Sequence, residues 1–391
     1  MSGTRPATPA RGGVLILTAS MGAGHDGVAV ELARRLAEGG VQVEVADVLE
    51  LLPMRLGPAL RRWYGWMMRS APWLYALIYR VFFTTGPPDG RPGPASPLTV
   101  LAANRLRRLV RRRPPAEVVS TFHLAAQAAG HLRGRGRLPV PSTVLVTDFA
   151  VHGLWLHRGN DRYLCAVPAS ALAVTAATGR PAHLHAPVVR PEFRTARADR
   201  ERADRERAEP ERAEPERADP QRIMPRIGAD PGDRLVLVSA GSWGVGDVEK
   251  TARVVAGSGR YVPVVLCGHN DALRHRLQRS GNGIALGWRD DVPELLASAY
   301  ALVDNAAGLT CREAFAAGVP VVSYRPIPGH GRDGARAMAA AGLSDYAMSA
   351  AELLAALDRL DGTPERDRRV ARGSALFSSA SAESLLGCRS E

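Results

Sequence analysis

Residues 13–38 read GVLILTASMGAGHDGVAVELARRLAE and decide the fold. The apolar run 13–19 predicts a buried strand, the glycines after it predict a tight turn, and 28–38 predict a helix. A second apolar stretch, Val41–Ala46, predicts another strand, which ends at Asp47. Strand, glycine-rich turn, helix and strand in this order indicate a parallel α/β sheet.

The same alternation extends along the rest of the chain. Leu98–Arg112 predicts a basic helix. Further strands are predicted at Val118–Ser120, Thr143–Thr147, Leu235–Ser239, Val262–Leu266, Tyr300–Asp304 and Val319–Ser323. The fold class that we predict is α/β, with two Rossmann-like, doubly wound domains that face each other across a cleft. Ligands of such sheets bind at the carboxyl ends of the strands.

A charged segment separates the two halves. Residues 194–222 read RTARADRERADRERAEPERAEPERADPQR, with nine arginines, nine acids and no large apolar side chain. Such a segment cannot bury enough apolar surface to fold alone. We expect a linker or extended loop at 194–230, with a helix as the alternative for its proline-free part. The predicted domains are therefore 1–193 and 231–391.

Composition bounds the class of protein. The chain has 391 residues, of which 46% are hydrophobic, as is ordinary for a globular protein with sizeable cores. The four cysteines are far apart in sequence and indicate neither a disulfide framework nor a zinc site. The apolar runs are too short for a secretory signal or a membrane-spanning helix. We therefore expect a cytoplasmic protein.

The positive charge is concentrated in one segment. The formal net charge is +12, and Met54–Arg113 contains 12 arginines, among them Arg61 and Arg62, but only one acid. The segment also contains eight large aromatic residues: Trp63, Tyr64, Trp66, Trp73, Tyr75, Tyr79, Phe82 and Phe83. Rings and arginines together are typical of a segment that lies on an anionic bilayer. Packing of the rings into a core is one alternative, and RNA binding is another, although no RNA-recognition motif accompanies the segment.

The first glycine-rich turn, Gly22–Gly27, matches the dinucleotide-binding pattern G-x-G-x-x-G. Asp47 follows at about the spacing of an acid that binds ribose, so this turn alone favours an NAD(P)-dependent oxidoreductase. A plain strand-to-helix turn is the simpler alternative. His25 lies within the turn, where an imidazole is suited to act as a general base.

The second half carries two more elements suited to binding phosphate. Gly241-Ser242-Trp243-Gly244-Val245-Gly246 follows a strand and precedes a helix, whose N-terminus favours an anion. Gly308-Leu309-Thr310 leads into another helix, where backbone amides and a hydroxyl can meet a diphosphate. Glu313, one turn later, can accept two ribose hydroxyls. Each element alone is also explained by an ordinary turn or helix cap.

A polar cluster follows the strand Thr143–Thr147. Asp148 and His152 are expected at the carboxyl end of that strand, where Asp148 can orient an acceptor hydroxyl or a catalytic imidazole. The alternative is a turn-capping aspartate beside an exposed histidine. His152 and His157 lack a carboxylate at a recognisable spacing, so we predict no metal site.

Together these motifs resemble a known family. The set comprises LTASMGAGH, STFH at Ser120–His123, VTDFAVHGLW at Val146–Trp155, CGHND at Cys267–Asp271, GWRDDVPELLASA at Gly287–Ala299, AGLTCREAFAAGVPVV at Ala307–Val322 and PIPGHG at Pro326–Gly331. Their order and spacing resemble the monogalactosyldiacylglycerol synthase and processive diacylglycerol glucosyltransferase family. That family is related to the glycosyltransferase that makes the second lipid intermediate of peptidoglycan. The resemblance covers roughly Gly13 to Gly342 without the charged segment.

The resemblance implies a GT-B fold and metal-independent, inverting transfer from a UDP-sugar to diacylglycerol or a similar lipid. Together with the basic aromatic segment, it predicts action without a cofactor on an anionic membrane at the inner face of the cell. It implies that His25 is the base, assisted by Asp148, and that nucleic acid is not a partner. The donor-binding residues that it implies are Gly241, Ser242, Gly244, Gly268, Asn270, Trp288 and Val292 (in the uracil wall Gly287–Val292), Gly308, Leu309, Thr310, Glu313 and His330. The acceptor and membrane residues that we predict, with the basic aromatic segment taken into account, are Gly24, His123, His152, Trp63, Trp66, Trp73, Arg61 and Arg62.

Two motifs depart from the family pattern. Asn305-Ala306-Ala307-Gly308 stands where members usually have Lys-Pro-Gly or Lys-Ala-Gly. Pro328-Gly329-His330-Gly331 replaces Pro-Gly-Gln-Glu, whose Gln and Glu face the donor sugar in the family. The identity of the sugar therefore stays open, and a catalytically weak homologue that only binds lipid or membrane is a further alternative.

Overall fold

The computed structural model of the protein describes residues 13–83, 95–208 and 223–387. Two six-stranded sheets lie within them, and every pair of neighbouring strands is parallel. The predicted α/β class with two doubly wound domains is confirmed. Within these residues, no helix combines the length and the apolar character needed to cross a membrane.

The first sheet and its helices form the N-terminal domain. Its strands are β1 (Val14–Thr18), β2 (Val43–Asp47), β3 (Glu117–Ser120), β4 (Ser142–Leu145), β5 (Arg162–Cys165) and β6 (Ala182–Leu184). They are ordered β2-β1-β3-β4-β5-β6. Its helices are α1 (Ala23–Glu38), α2 (Leu56–Ser70), α3 (Pro72–Phe82), α4 (Pro97–Arg112), α5 (His123–Arg133) and α6 (Pro168–Thr178).

The second sheet and its helices form the C-terminal domain, which is reached through α7 (Glu192–Ala208) and α8 (Ile223–Ile227). Its strands are β7 (Leu235–Ser239), β8 (Val262–Leu266), β9 (Ile284–Leu286), β10 (Ala301–Asp304), β11 (Val321–Tyr324) and β12 (Ser344–Ala347). They are ordered β12-β11-β10-β7-β8-β9. Its helices are α9 (Val248–Gly257), α10 (Asp271–Ser280), α11 (Val292–Ala297), α12 (Leu309–Ala316), α13 (His330–Ala340), α14 (Ala350–Asp358) and α15 (Pro364–Ala375). The last helix, α16 (Ala382–Gly387), packs against the N-terminal domain.

The central strands are apolar because helices bury them on both faces. All five residues of β1 and all five of β7 are buried, as is typical of central strands of parallel sheets covered by helices on both faces. Helix α1 begins at Ala23, five residues earlier than its apolar pattern predicts, and includes Gly24 and Gly27. A Cβ atom at Gly27 would lie 2.8 Å from Leu309 Cδ2, so these glycines let α12 of the other domain pack closely.

The charged segment begins inside helix α7. Residues 194–208, predicted as a linker with a helix as the alternative, are helical, and 209–222 lie outside the described residues. Phe193 is fully buried, Arg197 Nη1 donates to Ser374 Oγ at 2.5 Å and Arg200 Nη1 donates to Ala297 O at 3.1 Å. These contacts attach α7 to the C-terminal domain.

Candidate active site

The carboxyl ends of the two sheets face each other. The strand order reverses between β1 and β3 in one sheet and between β7 and β10 in the other, and ligands bind at such points. Ala23 N donates to Ser242 Oγ at 3.2 Å, and Trp243 Nε1 donates to Met21 O at 2.7 Å. The loops after β1 and β7 therefore touch across the domain boundary and form one wall of the cleft.

His25 lies in the first turn of α1, beside the carboxyl ends of β3 and β4. Its Nδ1 is 3.1 Å from Thr121 O and 2.9 Å from Thr147 Oγ1. A carbonyl oxygen only accepts hydrogen bonds, so Nδ1 carries the ring proton and Nε2 keeps its lone pair. The Phe122 ring holds the imidazole edge-on at 4.9 Å between ring centroids. The geometry therefore fixes His25 in the tautomer that a general base requires.

The surroundings of His25 keep its imidazole neutral near pH 7. Burial lowers the pKa of His25, and the nearby Arg312 lowers it further. Asp148, the Thr121 carbonyl and Asp26 act in the opposite direction without cancelling the effect of burial. A half-buried, neutral imidazole can accept a proton from a substrate hydroxyl.

Asp148 is fixed by two donors. Trp155 Nε1 donates to Asp148 Oδ2 at 2.7 Å, and His152 Nε2 lies 3.4 Å from the same oxygen. Burial opposes ionisation of this carboxyl, but the hydrogen bond from His152 and the surrounding imidazoles hold the pKa of Asp148 well below its usual range. The buried Nδ1 of His152 has no partner among the described residues. Asp148 is thus a carboxylate at neutral pH, within electrostatic range of His25.

His123 and His330 complete a group of four histidines around Asp148. The His123 ring lies 5.4 Å from that of His152, and burial among the other imidazoles lowers the pKa of His123 well below its ordinary value. His330 comes from the C-terminal domain, and burial also lowers its pKa. Within the described residues, no group of three or more His, Cys, Asp or Glu side chains is arranged to hold a metal ion.

Helix α12 brings the C-terminal domain to His25. Leu309, in its first turn, packs against Gly24, where a Cβ atom would lie 3.6 Å from Leu309 Cβ. Gly308, Thr310 and Glu313 are half-buried, and Thr310 and Glu313 share one face because they are three residues apart. Burial raises the pKa of Glu313 to about 7 against the opposing charge of Arg190. The helix start leaves its first amides free for an anion.

Arg312 lies one position before Glu313 and was not singled out by the sequence. Its side chain is 3% exposed, its guanidinium lies 4.4 Å from the centroid of Phe149 in the other domain, and Nη2 has no partner among the described residues. Burial lowers the pKa of this guanidinium to about 10, which still leaves it charged at pH 7. Arg312 thus introduces a buried positive charge beside His25.

The glycines of the second turn have a packing role. A Cβ atom at Gly244, which has a φ of +59°, would lie 2.5 Å from Asn270 Cβ, and one at Gly268 would lie 2.6 Å from Gly241 O. Asn270 Nδ2 donates to Gly244 O at 3.0 Å, and Asn270 Oδ1 caps α10 by accepting from Leu273 N. The predicted donor-binding residues Gly241, Gly244, Gly268 and Asn270 therefore interlock with one another.

The predicted uracil wall is an aromatic platform. The Trp288 ring is 51% exposed and stacks on His269, with 4.4 Å between centroids and 10° between planes. Val292 begins α11 and packs against the core of the C-terminal domain. Arg289 pairs with Asp291 beside the platform. One face of the tryptophan is therefore open to a planar ring.

Asp47 makes local hydrogen bonds at the end of β2. Its carboxylate accepts from Ser20 N at 3.2 Å and from Leu49 N at 2.7 Å, so it closes the loops after β1 and β2. The acid that favoured a dinucleotide enzyme thus has a local structural role.

Helices α2 and α3 expose large apolar side chains. Trp63, Trp66 and Trp73 are 43%, 51% and 68% exposed, and Leu77 is 46% exposed. Arg61 and Arg62 are exposed beside them. Several such residues together form an apolar patch rimmed by positive charge, which is typical of an interaction surface. The inner faces of the same helices contribute Met67, Met68, Tyr75 and Tyr79 to a buried cluster that includes Ile327 of the C-terminal domain.

Comparison with known proteins confirms the resemblance inferred from the sequence. The sequence model of the monogalactosyldiacylglycerol (MGDG) synthase family matches residues 25–174. The processive diacylglycerol beta-glucosyltransferase of Bacillus subtilis (strain 168) is 24% identical over 331 residues, which cover 82% of this chain and 80% of that protein. Similarity to this transferase thus extends through both domains.

Solved structures confirm the fold. MurG of Acinetobacter baumannii superposes with a TM-score of 0.56 at 14% identity, over 96% of this chain and 98% of that one. UGT2 of Phytolacca americana, complexed with UDP-2fluoro-glucose and pterostilbene, superposes with a TM-score of 0.54 at 12% identity, over 93% and 94% of the two chains. The architecture is the GT-B fold, and the two comparisons together support a glycosyltransferase.

Proposed function

We propose that this chain is an inverting GT-B glycosyltransferase that moves a hexose from a UDP-sugar to diacylglycerol or a similar lipid. The similarity to a diacylglycerol beta-glucosyltransferase through both domains supports the reaction and the lipid acceptor. The structural similarity to a protein that was solved with a UDP-sugar analogue is consistent with the proposed donor. The N-terminal domain, 1–193, would hold the acceptor, and the C-terminal domain, 231–391, the donor.

The observation that carries the proposal is the fixed tautomer of His25. With Nδ1–H directed at Thr121 O, Nε2 is free to take the proton of the lipid hydroxyl. The hydroxyl oxygen then bonds to the anomeric carbon on one face while the bond to the UDP oxygen breaks on the other, which inverts the centre. Asp148 stabilises the imidazolium that forms, because its carboxylate raises the pKa of His25. A positioned base of this kind contributes about 10²- to 10⁴-fold in rate.

The departing diphosphate acquires negative charge that has to be stabilised. The first amides of α12, at Gly308, Leu309 and Thr310, lack partners within the helix and lie next to α1, where Leu309 contacts Gly24. A helix N-terminus and its free amides stabilise such an anion. Glu313 lies on the same face as Thr310 and is suited to the ribose hydroxyls, and the open face of Trp288 is suited to the uracil.

The membrane is the proposed place of action. The patch of Trp63, Trp66, Trp73 and Leu77 gives α2 and α3 an apolar outer face, and Arg61 and Arg62 suit an anionic leaflet such as the inner face of the cell membrane. A peripheral enzyme docked through this face would meet diacylglycerol where the lipid resides.

The test pairs ligand binding with turnover. We expect UDP or one UDP-sugar to raise the melting temperature of the purified protein, whereas NAD and NADP leave it unchanged, since a ligand stabilises the state that it binds. That UDP-sugar should then glycosylate diacylglycerol in vesicles, and His25→Gln should abolish turnover without reducing stabilisation by UDP. Stabilisation by NAD(P) alone would favour the oxidoreductase. Stabilisation without turnover by the wild type would indicate the catalytically weak homologue.

A further inference from the structure

Helix α3 has two opposite faces. Trp73 and Leu77 are four residues apart and exposed, whereas Tyr75 and Tyr79, also four residues apart, are 4% and 5% exposed. A shift of two residues turns a helix by about 200°, so the two pairs point in opposite directions. One short helix thus links the apolar outer surface to the interior of the molecule.

The inner face of α3 hydrogen bonds to the start of α13 in the other domain. Tyr75 Oη lies 2.5 Å from His330 Nδ1, with the two rings edge-to-face at 5.7 Å. Tyr79 Oη donates to Asp333 Oδ2 at 2.9 Å, one helical turn further. The two tyrosines therefore hold the first turn of α13 at two points.

The turn before α13 fits tightly under these rings. Gly329 has a φ of +79°, and a Cβ atom there would lie 2.7 Å from Tyr79 Cγ and 3.0 Å from Tyr75 Cε1. Any other residue at this position would be strained and would also push α3 away. A movement of α3 is therefore transmitted to His330 through packed rings as well as hydrogen bonds.

The contact at Nδ1 leaves the other ring nitrogen of His330 available. Among the residues that the structure describes, none is hydrogen-bonded to Nε2. Burial raises the pKa of Tyr75 well above its ordinary value, so its hydroxyl keeps a proton to donate. When the Tyr75 hydroxyl donates its hydrogen bond to Nδ1, the imidazole carries its own proton on Nε2, which is then a hydrogen-bond donor.

We propose that Tyr75 is a positioning residue that sets the tautomer and orientation of His330, and that α3 thereby couples contact of its outer face with a lipid surface to the donor side of the cleft. The lipid and donor parts rest on the proposed function. His330 begins α13 in the C-terminal domain, which the proposed function assigns to the donor. The coupling follows because Trp73 and Tyr75 share one helix.

The first experiment reads the tautomer directly. In ¹⁵N-histidine NMR spectra, the His330 signals are identified by their loss in His330→Gln. We expect Nδ1 to be the unprotonated nitrogen in the wild type and this preference to disappear in Tyr75→Phe. Tyr79→Phe is the matched control, since it removes the neighbouring bond to Asp333 and leaves the one to His330. Unchanged His330 signals in Tyr75→Phe would overturn the proposal.

The second experiment tests the coupling. Vesicles of phosphatidylglycerol and diacylglycerol should shift the His330 signals of the wild type more than those of Tyr75→Phe, which keeps the packed ring but loses the hydrogen bond, although both proteins co-sediment with the vesicles. Co-sedimentation of the wild type without any change at His330 would overturn the coupling. In turnover assays, Tyr75→Phe should raise the KM for the UDP-sugar about threefold to tenfold, the size of one lost hydrogen bond, and leave the KM for lipid unchanged.

The two ideas fail separately. A wild type that shows the expected His330 tautomer but no sugar transfer would contradict the proposed function and leave the role of Tyr75 intact. A wild type that transfers sugar, with a His330 spectrum insensitive to Tyr75→Phe, would contradict the inference alone.

Discussion

Arg312 is the side chain through which one domain adjusts the proton affinity of a residue in the other. It is buried against Phe149, and its charge lowers the pKa of His25. The groups that face His25 from the surrounding elements are Asp26, Asp148, His123, His330 and Arg312. Of these groups, Arg312 carries the permanent positive charge. Its removal should therefore raise the pKa of His25.

We predict that Arg312→Met shifts the acidic limb of the kcat/KM profile to higher pH. The reaction requires unprotonated His25, so activity is present above its pKa and is lost as pH falls through it. Without the guanidinium, that pKa rises and activity is lost sooner on acidification. Arg366→Met is the control, because it removes a guanidinium that lies 5.1 Å from the centroid of Tyr300, far from His25. Coincident profiles for the wild type and Arg312→Met would refute the electrostatic role.

Glu313 gives a second prediction at the residue scale. Its pKa of about 7 means that the unliganded carboxyl is partly protonated at neutral pH. Ribose hydroxyls donate to the carboxylate, so UDP binding should strengthen as pH rises through 7 and should release protons. Calorimetry in buffers of different ionisation enthalpy measures that release, and Glu313→Gln should abolish it. The same proton release from Glu313→Gln would assign the titration to another group.

The sequence pointed to His25, Asp148 and Glu313 as candidates because each follows a strand or begins a helix in a recognisable motif. It did not find Arg312 or the role of Tyr75, because their partners Phe149 and His330 are distant in sequence and belong to the other domain. A motif indicates which side chains are near a sheet edge. Contacts across a cleft depend on how two domains meet, and the local sequence carries no signal for that.

At the scale of elements, α2 and α3 carry a prediction about membranes. Replacing Trp63, Trp66 and Trp73 with alanine should abolish co-sedimentation with vesicles of phosphatidylglycerol and diacylglycerol, since exposed aromatic rings anchor a helix at the headgroup level. The double variant Arg61→Gln, Arg62→Gln should keep the apolar contribution and lose part of the salt dependence.

Trp288→Ala is the matched control for that experiment, because Trp288 is as exposed as Trp66 but lies on the C-terminal domain. It should bind vesicles like the wild type and bind UDP more weakly. Equal vesicle binding by the triple variant and the wild type would show that the three tryptophans do not contribute to membrane binding.

Helices and strands could be predicted from the sequence where the residues within the element determine its structure. The strands β7 and β8 have the predicted bounds, because nine of their ten residues are apolar and a central parallel strand is a nearly continuous apolar run. The strands β5 and β6 were not predicted, since they are short and β6 has polar, exposed positions. Helix α7 was only an alternative, because its partners Ser374 and Ala297 are distant in sequence and lie in the C-terminal domain.

At the scale of the whole molecule, the last described helix packs against the N-terminal domain. Helix α16 follows the C-terminal domain in sequence, yet Ala382 and Leu386 are buried with Val14, Leu32 and Leu36 of the N-terminal domain. The backbone also joins the first domain there, through Ala186 N and Ala380 O at 2.8 Å. Arg162 Nη1 donates to Leu385 O at 2.8 Å.

The packing of α16 against the N-terminal domain leads to a prediction about the unfolding transitions of the two domains. Leu386→Ala, which removes buried methyl groups from the core around α1, should destabilise the N-terminal domain by about 2–4 kcal/mol. UDP bound to the C-terminal domain should not restore that stability, so calorimetry with UDP should resolve a lower transition for the variant and a single one for the wild type. Leu172→Ala, at a position 73% exposed on α6, is the control and should behave like the wild type. A single transition in Leu386→Ala, raised by UDP as in the wild type, would mean that the domains unfold as one unit. The interdomain contacts of Trp243, Arg312 and Tyr75 would then outweigh the core that α16 completes.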